Sequence, residues 1–320
     1  MIENRNSIDA LSVAILAGGP SAEAEVSRNS AAQIQHALTQ VGHNPVMIEL
    51  DRHCAAALIA ARPDVVFPAL HGPPGEDGTV QGMLEMLQLP YVGSDVHGSA
   101  VAMDKAIAKS VFQRAGLPVS RDCIIHPNQD VTEAAGEIAR TLGPRVAIKP
   151  LNQGSAIGVQ LLPNGGDIES ALTACVAFGS CLAEPYIEGR EMTVGVLQLG
   201  NELLVHPVIE IQTPENAWYD YEHRYTVGQS QHVMPAQISP PLTERLQDIA
   251  LTAHRSLGLR DLSRADFIVT DNDEIYLLEV NALPGMTPVS LYPEGASAIG
   301  YPFEQLVNVL VQQAFKRGTI

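Results

Sequence analysis

The chain has 320 residues, 46% of them apolar, and a formal net charge of −17. That length accommodates two or three domains with sizeable cores. Such acidity argues against nucleic acid, which needs a basic face, and no apolar run nears the roughly 18 residues of a membrane span.

Strands and helices alternate at the start. "LSVAILAGG" (11–19) reads as a buried strand entering a glycine turn, and 24–38 follows with helical spacing. Strands are expected at 44–50 and 64–72, a helix at 79–89, and a short fourth strand at 90–94. That alternation means βαβ units and a parallel sheet. A helix over 99–116 opens the next block. A helix over 131–142 precedes two strands in 145–162, joined by a Gly/Ser-rich loop. A helix at 167–178 and a strand in "CLAEPYIEG" (181–189) close the block. From Arg190 onward strands dominate: 191–199, 202–211, 265–270 and 274–281, before a last helix at 303–316. The four cysteines, Cys54, Cys123, Cys175 and Cys181, show no metal spacing. The N-terminus "MIENRNSIDA" has neither a basic nor an apolar targeting region. A cytoplasmic chain with thiols as small core residues is expected.

The segment 263–281, "SRADFIVTDNDEIYLLEVN", carries the strongest chemical signal. With Asn272 and Asp273 as a two-residue hairpin tip, Asp271 faces Glu274, Asp266 faces Glu279 and Arg264 faces Asn281. Period two sends these side chains to one face. The other face, Ala265, Phe267, Val269, Leu278 and Val280, reads as core. Opposed carboxylates repel, and burial worsens this. A shared proton relieves the repulsion, and so does a divalent cation. Hard oxygen donors without His or Cys suit Mg²⁺ or Mn²⁺. Mg²⁺ completes its shell with phosphate oxygens, so the set suggests a metal–nucleotide site. The plain alternative is a solvated hairpin end.

Lysine occurs only at Lys105, Lys109, Lys149 and Lys316. One of these stands in "VAIKPLNQGSAIGV", at a strand end before a loop with two glycines and Ser155. This is not GxxxxGK[ST], and "LAGGPSAE" (16–23) is not GxGxxG. Backbone N–H groups and the Lys149 charge could still fold over a triphosphate. Taken alone, each loop is more often a hairpin turn than a phosphate clamp.

Together these motifs resemble the ATP-grasp enzymes: a lysine before a Gly-Ser loop, the hinge "EPYIEGRE" and the terminal "RADF…LLEVNALPGMT". "GGPSAEAEVS", "ALHGPPGEDGTVQGMLE", "MDK" and "YDYEHRY" narrow the resemblance to the D-alanine–D-alanine ligase family, over about residues 13–310. The resemblance implies an α/β chain of ATP-grasp fold. A Rossmann-like substrate domain would occupy 1–97, a central α+β subdomain 98–189, and a C-terminal α+β domain 190–320 holding the metal site, with a lid about 213–236. It implies ATP, two Mg²⁺ (or Mn²⁺) ions and two molecules of D-alanine, and a homodimer. It implies that Lys105, Lys149 and the Gly154–Ser155 loop hold phosphates, and that Glu184 lies near the adenine. Pro185 and Ile187 would meet the base through their backbone, and Glu191 the ribose. Asp266, Glu279 and Asn281 would hold the metals. Glu23 would bind the first D-alanine's ammonium, with His71 nearby. Arg264 and the Gly285 N–H would serve the oxyanion, and Ser290 and the Tyr225 region the second carboxylate. Ser155, Tyr225 and Glu23 would form a hydrogen-bonded trio. Two positions depart from many relatives: Ala156 where a second serine is frequent, and Arg224 where lysine is frequent beside the lid tyrosine. A ligase for another acceptor and an inactive nucleotide-binding protein are the rival readings.

Overall fold

A computed structural model describes residues 10–214, 229–288 and 290–319. Three sheets follow one another along the chain. The first is parallel: β1 (Ser12–Ala17) lies between β2 (Asn44–Glu49) and β3 (Val65–Pro68). Alternation along β1 sends Val13 and Ile15 to a core with Ile34 and Leu38. Ala14 and Leu16 face a second core with Leu58 and Leu84. Helices α1 (Ala24–Gln40), α2 (Cys54–Ala61) and α3 (Thr79–Met86) provide that cover, as a parallel sheet requires on both faces. Two expectations change here. The α2 helix was not anticipated. The strand expected at 90–94 is a single bridge between Val66 and Tyr91.

The helix expected over 99–116 is two helices, α4 (Val96–Met103) and α5 (Lys105–Arg114). Asp104 divides them. Its backbone is extended and its carboxylate accepts the N–H groups of Ala106 and Ile107, both at 3.0 Å, so it caps a new helix. The second sheet follows, with order β4–β7–β5–β6, where β4 is Cys123–Ile125, β5 Val146–Pro150, β6 Gln160–Leu162 and β7 Cys181–Pro185. Helices α6 (Val131–Leu142) and α7 (Ile168–Val176) cover one face, burying Val146, Ile148 and Ala183 with Ile138 and Leu172. Ala147, Lys149 and Glu184 are left for the other face.

The third sheet has order β11–β10–β8–β12–β13, with β9 pairing β8. Its strands are β8 (Arg190–Leu199), β9 (Glu202–Val205), β10 (Ile209–Gln212), β11 (Gln231–Val233), β12 (Leu262–Val269) and β13 (Ile275–Asn281). The single strand expected at 202–211 breaks before β10, where Pro207 cannot donate to the ladder. Helix α8 (Pro240–Ser256) was missed, although its start is conventional: Ser239 caps the Leu242 N–H, followed by two prolines. Helices α9 (Leu291–Ala298) and α10 (Phe303–Arg317) complete the chain, and α10 packs back on the first sheet. The first and third sheets are also stapled by Asp261. Its carboxylate accepts from the Gly93 N–H (2.8 Å) and from the Arg317 guanidinium (2.5 and 3.0 Å).

The β12–β13 hairpin pairs Arg264 with Asn281 and Asp266 with Glu279, as the sequence pattern predicts. The route differs. The loop has three residues, Asp271 to Asp273, closed by Thr270 and Glu274, with Asp273 in the left-handed region at φ 59°. One extra loop residue shifts the register to Phe267–Leu277. A bulge on β13 at Leu278 restores it at Asp266–Glu279. Leu277 and Ile275 are therefore the core residues. Leu278, expected in the core, joins Glu279 on the cavity side.

His206, between β9 and β10, is 1% exposed, and neither ring nitrogen has a hydrogen-bond partner among the described residues. Its ring lies 4.8 Å from that of Tyr292. Added Cβ atoms on Gly195 and Gly295 would approach its Nδ1 to 2.1 and 2.7 Å, so both glycines are needed for its packing. Burial lowers its pKa to about 3. The fold keeps the ring neutral, while the unfolded chain takes a proton below about pH 6.5. Stability therefore falls as pH drops from about 6.5 towards 3. His206→Leu should reduce the loss of Tm between pH 7 and pH 5; an equal loss in both proteins would contradict this assignment.

Candidate active site

Two cavities meet between the three sheets. The first, about 550 Å³, is bordered by Glu23, His71, Ser155, Arg264, Gly285 and Ser290. The second, about 540 Å³, is bordered by Lys105, Lys149, Glu184, Pro185, Ile187 and Glu191. Gly154, Ser155 and Glu279 belong to both walls. Asn281 lines the first, and Asp266 stands behind Arg264. Tyr225, Arg224 and most of the expected lid, with Trp218, Tyr219 and Tyr221, lie outside the described residues.

The second cavity is organised by a buried carboxylate. Glu184, on β7, pairs with Ala147, and Lys149 is two residues further along the same face of β5. The Lys149 ammonium therefore reaches Glu184 across the ladder, and Lys109 reaches the same carboxylate from α5. Ser120 adds a hydrogen bond to Glu184 at 2.8 Å, and Asp122 pairs with Lys109 at 3.3 Å. Burial opposes charge on Glu184, but the two lysines outweigh it and hold its pKa at about 2. Burial also works against Lys149, and Glu184 more than offsets it, raising the lysine above its ordinary value. Lys109 was not singled out from the sequence. Its signal was there, because it lies one turn after Lys105 on the same side of a helix.

The wall between the cavities joins all three sheets. Lys105, the first residue of α5, donates to the Gln153 carbonyl at 2.7 Å and lies 3.6 Å from Glu279. Burial lowers its pKa, and Glu279 partly restores it. The Ser155 hydroxyl donates to Glu23, at the start of α1. An added Cβ on Gly154 or on Gly72 would come within 3.1 Å of the Glu23 carboxylate, a tight approach that glycine at both positions relieves as the loop and the first sheet close on it. Ser155 and Ala156 both have positive φ, 46° and 59°. Holding two non-glycine residues there costs on the order of 1 kcal/mol each, which the Glu23 contact helps to offset.

In the first cavity the Arg264 guanidinium grips Asp266 through two bonds, 2.8 and 2.7 Å. Thr193 (2.7 Å) and the Asn281 amide nitrogen (3.0 Å) also donate to Asp266. Ser290 starts α9 but does not cap it. Its hydroxyl instead lies 2.8 Å from the Thr287 hydroxyl and accepts the Thr287 N–H. His71 is buried, 3.5 Å from the Ser30 hydroxyl, and burial followed by the Arg264 charge lowers its pKa to about 4. Glu76, in the "HGPPGEDG" stretch, had no role assigned from sequence. It accepts the Gly72 N–H at 2.6 Å, and burial, with Glu23 nearby, raises its pKa to about 8.

No group of three His, Cys, Asp or Glu side chains among the described residues is close enough to hold a metal. The candidate set is instead two carboxylates and an amide, with Arg264 and Lys105 on the carboxylates. Asn281 presents its oxygen once the amide is flipped. Hard oxygens on paired strands, beside a cavity with two lysines, fit a divalent ion that shares its shell with phosphate.

The family description "D-ala D-ala ligase C-terminus" matches residues 111–312, and "D-ala D-ala ligase N-terminus" matches 55–94. A D-alanine–D-alanine ligase from Methylobacterium radiotolerans is 42% identical over 311 residues, covering 94% of this chain and 97% of that one. Two crystal structures share the fold. The D-alanine–D-alanine ligase from Bacillus anthracis complexed with ATP has a TM-score of 0.81 at 27% identity, covering 96% of this chain and 98% of that one. The VanG D-Ala:D-Ser ligase from Enterococcus faecalis has a TM-score of 0.82 at 29% identity, covering 96% and 100%. The chain belongs to the D-alanine–D-alanine ligase family of ATP-grasp enzymes.

Proposed function

We propose that the chain joins two molecules of D-alanine to D-alanyl-D-alanine for peptidoglycan precursors, converting ATP to ADP and phosphate. The observation that carries this is the shared wall. A cavity with two lysines and a cavity with an arginine and acidic groups meet at Glu279 and the Gly154–Ser155 loop. At that wall a phosphoryl group could pass from one to the other. The nucleotide would occupy the lysine cavity, with Glu184, Pro185 and Ile187 at the base and Glu191 at the ribose. Both amino acids would occupy the other. The first D-alanine's ammonium would meet Glu23, and its carboxylate would take the γ-phosphoryl group. The second D-alanine's amine would then attack the carbonyl of that acyl phosphate and expel phosphate.

Lys149 would exchange Glu184 for the phosphates, and Lys109 would keep Glu184 ionised in its place. Arg264 and the Gly285 N–H would offset charge on the oxyanion. A divalent ion, Mg²⁺ or Mn²⁺, held by Asp266, Glu279 and Asn281 would offset phosphoryl charge. Ser155 on Glu23 would close the loop over the acyl phosphate, which water destroys. The reading includes three domains with boundaries near 97/98 and 189/190. It also includes a cytoplasmic homodimer, supported by the family resemblance.

Phosphate release from ATP and Mg²⁺ should depend on D-alanine and not L-alanine, with the dipeptide identified by mass. Glu279→Gln should lower that turnover by more than about 100-fold while the far-UV spectrum and Tm stay close to wild type. Turnover surviving in this variant would remove the metal assignment. Lys109→Met leaves Glu184 with one cation. It should raise the KM for ATP by at least about tenfold with the D-alanine KM within about twofold, and lower the Tm. Equal changes in both KM values would show that Lys109 does not act through the nucleotide cavity.

A further inference from the structure

His232 was absent from the sequence-based candidates, yet it lies on the wall of the first cavity together with Arg264, Gly285 and Ser290. It sits on β11, paired with Ile211 of β10. Its Nδ1 is 2.7 Å from the Glu294 carboxylate. Glu294 is on α9, four residues after Ser290, and its N–H donates to the Ser290 carbonyl at 3.0 Å. Residues four apart share a helix face, so a ring held on Glu294 borders the region around Ser290. Glu294 does not line the first cavity and instead borders a surface hollow with Met234 and Ser297. The imidazole thus stands between a carboxylate and the cavity. A carboxylate on Nδ1 fixes the tautomer with its proton there, which makes Nε2 the acceptor.

The proposed reaction needs such an acceptor. The second D-alanine arrives as an ammonium ion, and an ammonium has no lone pair to attack a carbonyl. We propose that His232, oriented by Glu294, is the general base that takes this proton. This rests on the ligase reading above. The balance is complete: the ammonium proton passes to Nε2, and the amine lone pair forms the C–N bond. The C–O bond to the phosphoryl group breaks, and the second amine proton leaves with the phosphate. Among the described residues, the other ionisable groups on the cavity are engaged. Glu23 accepts from Ser155, Glu279 faces Lys105, Glu76 holds the Gly72 N–H, and Arg264 is on Asp266. His71 is buried beside Ser30. On the neighbouring strand, Glu210 is taken up by Arg190 at 2.7 Å.

The test uses two acceptors. Hydroxylamine is neutral at neutral pH, so it intercepts the acyl phosphate as D-alanine hydroxamate without a base. D-alanine must first lose its proton. In His232→Gln, dipeptide synthesis at pH 7 should fall roughly 100-fold, far more than hydroxamate formation. It should recover with rising pH as the free amine becomes available from solution. Glu294→Gln keeps the ring but not its orientation, and should show the same split in smaller measure. Equal losses with both acceptors, or a dipeptide rate close to wild type, would overturn the assignment while leaving the ligase reading intact. A wild-type protein making neither product would overturn both.

Discussion

The site is built on a repulsion. Asp266 and Glu279 face each other across β12 and β13, and a directly opposed pair has Cβ atoms about 5 Å apart. At an effective dielectric near 20, two unit charges at that separation repel by about 3 kcal/mol. A cross-strand contact contributes at most about 1 kcal/mol, so packing cannot hold the pair together. Cations must, and they come from different places: Arg264 from the same strand for Asp266, and Lys105 from α5 for Glu279. The same rule governs Glu184, buried between Lys109 and Lys149. Asp266, Glu279 and Glu184 are thus each neutralised internally. On the proposed reading, a nucleotide and a divalent ion would exchange these partners rather than add to them.

The lysines sit where such an exchange would need them. Lys105 can reach both the Gln153 carbonyl and Glu279 because Asp104 stops α4 and starts a new helix at that residue. Lys149 reaches Glu184 because strand periodicity puts it diagonally across the β5–β7 ladder. Lys109 lines neither of the two cavities. Its contacts are Glu184, Asp122 and Ser120, which suits a charge that remains when Lys149 turns to phosphate.

Much of this was legible in the sequence, though one inference reached its answer by two errors that cancel. A two-residue tip at Asn272–Asp273 implies Asp266 opposite Glu279. The chain makes a three-residue loop, because Asp273 tolerates the left-handed region, and then bulges at Leu278 to recover that pairing. Alternation was therefore right near the site and wrong at Leu277 and Leu278. The parallel sheet and the helix over 131–142 were also readable, because local periodicity determines them. The helix expected over 99–116 was not, since the cap at Asp104 outweighs a continuous apolar stripe. Contacts such as Ser155 with Glu23, or Lys109 with Glu184, are 132 and 75 residues apart. No local pattern encodes them, and only motif resemblance suggested the first.

His232 shows what such resemblance leaves out. A motif assigns roles to positions that relatives share, and it gave none to this histidine, which lies on a short strand within the expected lid segment. What marks it is a three-part arrangement: a carboxylate one turn into α9, a ring against it, and a cavity beyond the ring. The first half of the proposed reaction needs cations to manage phosphate charge, and the sequence advertises cations through its scarce lysines. The second half needs the opposite, a neutral proton acceptor that is not already paired with a cation. In a cavity where Glu23, Glu76 and Glu279 are each committed, an imidazole tethered by a carboxylate from outside the wall meets that requirement without disturbing the charge balance that holds the strands together.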